Sequence, residues 1–412
     1  MINKNIMKKI TIILAMALGI FSACQQKNNH DVTIVVTNPT DRDIAGVIEG
    51  IPLKAVLDSL GVKEGTPIKL IDEMGKLVPL QIFNNGNEDL LLFETNTLAN
   101  GESSYFVSVR KTSDPVLTVP SAVFIKHYPQ RKDDLCWENE SSIWRAYGPE
   151  LQATNERAFG YDIWCKNTKE LLCDERMLTA LRGWAIRDSL HALGEHHLAD
   201  SIGHVGSFHE DHGKGMDCYA VGPTLGGGTA ALLNDEGGIV FPWAWKTHKI
   251  LANGPLLGAV RLDYDTTFVA GDTVIEHRTI ITQKGSRFNI INVEYEGATR
   301  AHDIAVGIAF HGDEDSVRLD KGNKYIAYSD PTDQPGRDPG RVLIGAYVPT
   351  LTRTALEQGH LLGIAKYKPG ETFTYYMGSG WSKGDCASLR VMTRELKRLA
   401  NEKPQTVRIL VK

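Results

Sequence analysis

The chain has 412 residues, 45 Lys plus Arg against 50 Asp plus Glu, and a formal charge of -5. This mildly acidic balance argues against a nucleic-acid partner, whose phosphates demand a basic face. Six cysteines, widely spaced and without C-x-x-C, do not form a disulfide framework.

The chain opens with Lys4, Lys8 and Lys9 and no acid, then an apolar run from Ile10 to Ile20 and Phe21-Ser22-Ala23-Cys24. A basic start, a short apolar stretch and small residues before a cleavage point predict a secretory signal over 1–23. The run is shorter than the roughly 20 apolar residues a spanning helix needs. Cysteine after Ser-Ala matches the bacterial lipobox, so Cys24 is the expected lipidation site and membrane anchor. Residues 24–30 then form a polar tether with no acidic pair, which points to the periplasmic face of the outer membrane. Removing the leader leaves 42 basic residues against 50 acidic ones, a formal charge of -8.

A small β-sandwich-like domain is expected over 31–112 and a large one over 113–412. Val32 to Val36, Pro67 to Ile71, Leu77 to Ile82, Leu90 to Phe93 and Ser104 to Val109 read as short strands between turn residues. Ile51 to Leu60 reads as a helix. Further strands are expected at Ile239 to Trp245, Leu256 to Tyr264, Thr273 to Thr282, Phe288 to Glu294, Ile304 to Phe310, Val342 to Val348, His360 to Lys366 and Glu371 to Gly378. Thr273 to Ile280 alternates apolar and polar residues, as half-buried antiparallel strands do. So many strands make a mostly β, two-sheet antiparallel sandwich with a few helices. Helical spacing marks Asp174 to Gly194, and also Asp385 to Asn401 with Asp385 as N-cap. Gln405 to Val411 reads as an edge strand.

Candidate chemistry gathers in two places. Six of the thirteen histidines fall between His191 and His212, followed by Lys214, Asp217, Tyr219 and the glycines 226 to 228. Base, acid, cation and phenol within a dozen positions suit proton transfer, with His209, His212, Tyr219 and Asp217 as catalytic candidates. The spacing does not match H-E-x-x-H, and the glycines lack the Gly-Lys-Ser/Thr ending of a phosphate loop. No cofactor is therefore expected; a divalent metal held by the loop is the alternative. The second place holds Trp137, Glu138, Trp144, Arg145, Tyr147 and Glu150. Aromatic faces stack on sugars, and the Arg145 fork can grip a carboxylate. Lys166, Lys214 and Trp381 complete the expected substrate contacts. Most of the cysteines read as small buried residues, with a bridge between Cys165 and Cys173 in an oxidising compartment as the alternative.

The segments W-E-N…R-x-Y-G-P (Trp137 to Pro149) and H-x-D-x-G-x-G-x-D-x-Y-x-V-G-x-T-L-G-G-G (His209 to Gly228) carry a resemblance. With Asn253-Gly254-Pro255 and Pro369 to Trp381, they resemble domain-of-unknown-function family 4861 over nearly the whole mature chain. That family is common among Bacteroidetes lipoproteins and often encoded beside polysaccharide-degrading enzymes. The resemblance implies a galactose-mutarotase-like sandwich and an oligosaccharide substrate. It also implies removal of water from a uronic acid, or a related lyase step. A glycoside hydrolase using two carboxylates such as Glu150 and Asp217, a mutarotase-like epimerase and a non-catalytic glycan binder are the alternatives.

Overall fold

The computed structural model describes residues 32–154, 156–333 and 338–411. The signal, the lipobox cysteine and the tether lie outside them. The protein is mostly β, and among the described residues the strands form five antiparallel sheets.

Residues 32–111 form two of these sheets around one core. Val32–Thr37, Glu102–Val109 and Ile68–Asp72 lie side by side; Ile44–Pro52, Asp89–Thr97 and Leu80–Asn84 make the second sheet. Helix α1 (Leu53–Leu60) sends Val56 and Leu57 onto Ile34, Leu91, Phe93 and Val107. The fourth strand of the first sheet comes from the far end of the chain. Thr406–Val411 pairs antiparallel with Val32–Thr37 at the sheet edge, in keeping with the edge strand expected over Gln405 to Val411.

The larger part is a sandwich. One layer is a single eight-stranded sheet, from Trp245–Asn253 at one edge to Val317–Asp320 at the other. Within it Asp272–Gln283 alternates buried and less buried residues along its length, which is the two-residue period of a strand with one covered face. The facing layer joins two four-stranded sheets. Gly227–Leu232, His302–Ala309, His360–Tyr367 and Arg353–Glu357 form one; Tyr161–Cys165, Ser142–Ala146, Asp134–Glu138 and Phe124–Tyr128 form the other. A bridge between Tyr161 and Gly226 links them. Between the layers lie Trp137, Trp144, Val260, Ile280, Ile291, Ile344 and Tyr375, all fully buried.

Two helical features cover outer faces. Helix α5 (Leu389–Ala400) presses Met392 and Leu396 onto Ala327 and Leu343. It lies so close that a Cβ on Gly345 would meet Leu396 Cδ1 at 2.7 Å. The 20-residue helix α3 (Cys173–Ala192) follows the four-residue α2 (Pro149–Gln152) and is antiparallel company for α4 (His196–Gly206). Gln81 joins the two parts. Its amide donates to the Leu257 carbonyl at 2.8 Å, and its oxygen accepts from the Leu256 and Leu257 amides. Phe83 and Leu92 pack there against Leu256, Leu257 and Ala259.

Several expectations need correction. His196 to Gly206, read as part of an irregular histidine loop, is a helix. The C-terminal helix starts at Leu389 after Ser388, because Asp385 is held by Arg287. Of Ile239 to Trp245, only Ile239 makes an isolated bridge, to Leu233, and Trp245 opens the strand Trp245–Asn253; the residues between are not a strand. Gly227 and Gly228 open a strand rather than close a loop. Five cysteines are buried free thiols. Cys165 lies against Cys218 and Cys173 against Cys136, so no bridge joins Cys165 to Cys173.

Candidate functional site

The three strands Asp134–Glu138, Ser142–Ala146 and Tyr161–Cys165 are buried along both faces, which is why they lack an apolar–polar alternation. One face rests on the sandwich core. The other carries Asp134, Arg145 and Asp162 side by side, since Arg145 is paired with Cys136 on one side and Asp162 on the other. Arg145 is almost fully buried. Its Nη2 lies 2.5 Å from Asp162 Oδ2 and 3.7 Å from Asp217 Oδ2; its Nη1 donates to Asp134 Oδ2 at 3.2 Å. Nη2 also donates to the Tyr147 hydroxyl at 3.2 Å. The guanidinium lies over the rings of Tyr147, Trp164 and Phe208, at 4.7 to 5.7 Å from their centroids.

The loop carrying His209, Asp217 and Tyr219 is clamped onto this sheet edge. The Cys165 amide donates to the Met216 carbonyl at 2.8 Å, and the Met216 amide returns the bond at 3.1 Å. Gly215 has φ +114° and its Cβ would stand 2.0 Å from the Cys165 oxygen, so only glycine permits this approach. The clamp sets the half-exposed His209 against Asp217, its Nδ1 at 3.5 Å from Oδ2 and 3.3 Å from the carbonyl oxygen. Burial lowers the His209 pKa, against the pull of the Asp217 carbonyl, so the ring is a neutral base near pH 7. Burial, reinforced by Asp162, pushes the Asp217 carboxyl well above the usual range although Arg145 opposes it.

Tyr219 is buried, and its hydroxyl makes no well-formed hydrogen bond, although the Ala309 backbone lies close enough to act on it. Its ring meets His311 edge-on, with centroids 5.7 Å apart. His311 Nδ1 sits 2.6 Å from Oδ2 of the fully buried Asp330. That bond raises the histidine's pKa. The Asp333 amide donates to the Cys218 carbonyl at 3.1 Å, and the Asp333 carboxyl acts electrostatically on both His209 and His311. Burial raises its own pKa. The result is a polar cluster with one imidazole held neutral, another biased toward its cation and a phenol without a well-formed hydrogen bond.

Sequence reasoning placed His209, Asp217, Tyr219, Arg145 and Tyr147 in one site, and the fold brings these five together. It separates the others. His212 is on the surface, its Nε2 3.0 Å from the Ser207 carbonyl. Lys214 is exposed and paired with Glu170. Glu150 is exposed on the first turn of α2. Trp137 and Trp144 are fully buried and stacked on each other, so neither offers a face to a sugar. Trp381 is buried too, with its indole N–H donating to the Pro339 carbonyl at 2.7 Å. Glu138 and Lys166 form a buried ion pair at 2.6 Å. The Glu138 carboxylate also accepts the Leu172 and Cys173 amides and so caps α3, whose first amides lack intrahelical partners. Arg145 has both terminal nitrogens shared among three aspartates and Tyr147, which leaves only its buried Nε without a partner.

Sequence reasoning singled out the stretch Tyr161 to Lys166 but gave Asp162 no role, and it missed His311, Asp330 and Asp333. His311 stands just beyond a buried strand and before Gly312-Asp313, a strand-end signal for a functional side chain that carries no spacing motif. Among the described residues no cluster of three or more His, Cys, Asp or Glu is arranged to hold a metal ion.

Residues 36–409 match the family described as Domain of unknown function (DUF4861). The chain belongs to this family. A DUF4861 relative in sequence, "Uncharacterized protein P7" from Formosa agariphila, is 24% identical over 334 residues, covering 77% of each chain. In structure, an α-mannosidase from Enterococcus faecalis V583 superposes on 92% of this chain with a TM-score of 0.44 and 9% identity. A protein in glycosyl hydrolase family 38 from Enterococcus faecalis gives the same TM-score and identity. The chain spans 46% and 47% of those two proteins, a little under half of each.

Proposed function

We propose that this DUF4861 protein is a carbohydrate-active enzyme that cleaves a carbon–oxygen bond in acidic oligosaccharides by β-elimination at a uronic acid. The observation that carries the reading is Tyr219: a buried hydroxyl whose one neighbouring donor, the Ala309 backbone, makes no well-formed bond to it, its ring edge-on to His311 and two residues from the Asp217 that holds His209. An unpaired buried hydroxyl costs about 1–3 kcal/mol, a cost that a role toward substrate would explain. Neutral His209 takes the proton from C5 of the uronate. The C–H electrons form the C4–C5 double bond, the C4–O4 bond breaks, and Tyr219 gives its proton to the departing oxygen. His311, charged through Asp330, faces the substrate carboxylate and makes the C5 proton more acidic. If O4 carries only hydrogen, water leaves; if it carries a sugar, the chain is cut.

Hydrolysis by paired carboxylates fits less well. Asp162 already accepts from the Ile163 amide, the Trp164 indole and Arg145, so it has no oxygen left for a nucleophilic role. The elimination product absorbs in the near-ultraviolet. Incubation with a panel of uronate oligosaccharides that gives new reducing ends without absorbance would sink the proposal in favour of hydrolysis. Delivery belongs to the same reading: lipid on Cys24 tethers the protein in the envelope, facing the periplasm. Cys24→Ser should shift it from the membrane fraction and abolish labelling by a fatty-acid analogue.

A further inference from the structure

A large cavity, about 1180 Å³, lies away from Tyr219 between the N-terminal unit, α5 and the turn linking Asp272–Gln283 to Phe288–Glu296. Its volume exceeds the range of roughly 300–1,000 Å³ usual for a drug-sized ligand and suits an extended one. Its wall includes more cations than carboxylates, and the carboxylates are engaged. Asp385 and Glu395 hold Arg287, Glu140 accepts the Gly285 amide, and Glu402 lies 4.0 Å from Arg42. Lys169 on one wall and Arg394 and Arg398 on α5 also line the cavity. Among the described residues no carboxylate lies within ion-pair distance of any of these three. Arg394 and Arg398 stand one helical turn apart, so their side chains project together. The half-buried Tyr376, tilted against Tyr347 at 5.7 Å, also lines the cavity and offers a stacking face.

We infer that this cavity is a non-catalytic binding groove for a run of anionic oligosaccharide, its carboxylate or sulfate groups paired with Lys169, Arg394 and Arg398. Two or more anions spaced along a sugar chain would meet cations on facing walls, and Arg matches such groups in two-pronged fashion. A neutral glycan would leave the cations without partners. The site lies apart from the proposed catalytic cluster. It would hold a polymer while its end is processed, adding to apparent affinity through local concentration.

The test uses the full mature chain carrying Tyr219→Phe, so that turnover cannot confuse binding. Titration with oligogalacturonate, a heparin-derived oligosaccharide and a neutral malto-oligosaccharide of similar length should show binding of at least one acidic probe and none of the neutral one. That affinity should fall as salt rises, since exposed charges are screened. Arg394→Glu with Arg398→Glu should weaken acidic binding at least tenfold; Lys169→Glu alone should weaken it severalfold. Both sites are exposed, so circular dichroism should match the parent. Failure of both acidic probes to bind, equal binding of the neutral probe, or unchanged affinity in the double variant would each overturn the inference. Groove binding without any elimination by the chain with Tyr219 intact would sink the catalytic reading alone.

Discussion

Arg145 and Asp162 approach to 2.5 Å inside a site that also buries Asp134 and Asp217. One guanidinium is the countercharge for three carboxylates. Removing it leaves uncompensated buried charge, typically about 3–5 kcal/mol for one pair. Arg145→Met should therefore lose at least that much stability in a urea titration. Loss of under 1 kcal/mol would mean that the aspartates already carry protons.

Tyr219→Phe should separate structure from chemistry. The hydroxyl makes no well-formed hydrogen bond, so its loss should leave the melting temperature nearly unchanged. Turnover of an acidic oligosaccharide should fall by about 10²–10⁴ if the phenol donates the proton. Full activity in this variant would exclude that role.

The two imidazoles predict a bell-shaped pH profile. His209 works as a base, and its lowered pKa puts the acid limb below the ordinary histidine value of about 6.5. His311 works as a cation, so the rate should drop as pH rises through its raised pKa. The His311–Asp330 pair also contributes stability that is full below about pH 6.5 and lost as pH rises through that raised value. Asp330→Asn should move the alkaline limb to lower pH. A limb that stays in place would assign it to another group.

Glu138 ties a strand to the start of α3. Glu138→Ala would leave Lys166 buried without its partner and two helix amides uncapped. A loss of about 3–5 kcal/mol is expected. Lys166→Met with Glu138→Gln should recover part of it, because the buried charge is gone while an acceptor for the amides remains. Guanidinium titrations of the two variants would check both statements.

Deleting Thr406–Val411 should expose the edge of Val32–Thr37, which has Glu102–Val109 on its other side. Faster amide exchange along Val32–Thr37 is expected, with the amides of Asp272–Gln283 unchanged. Exchange that rises equally in both strands would show that the two parts unfold as one unit.

Much of the strand content was legible because one face of each such strand is wet. Asp272–Gln283 and Phe288–Glu296 alternate, and their periods read directly. Asp134–Glu138, Ser142–Ala146 and Tyr161–Cys165 do not, because α3 and the site cover the face that the core leaves open. Their charged and aromatic residues therefore resembled a surface binding patch, while Trp137, Trp144, Glu138 and Lys166 are interior. His209, Asp217 and Tyr219 could be found because a glycine-rich stretch supplied them within 11 positions of each other. His311, Asp330 and Asp333 could not, since each lies at least 92 residues further along the chain than Tyr219.

By itself the sequence determined a mostly β chain, its strand periods, its family and the composition of the loop from His209 to Tyr219. These depend on local spacing, which survives in one dimension. Tertiary structure decided that Arg145 is a shared countercharge rather than a substrate clamp, that His212 faces away, and that His311 with Asp330 faces Tyr219. Those outcomes depend on which buried charges share a partner across long loops, and no local pattern specifies that.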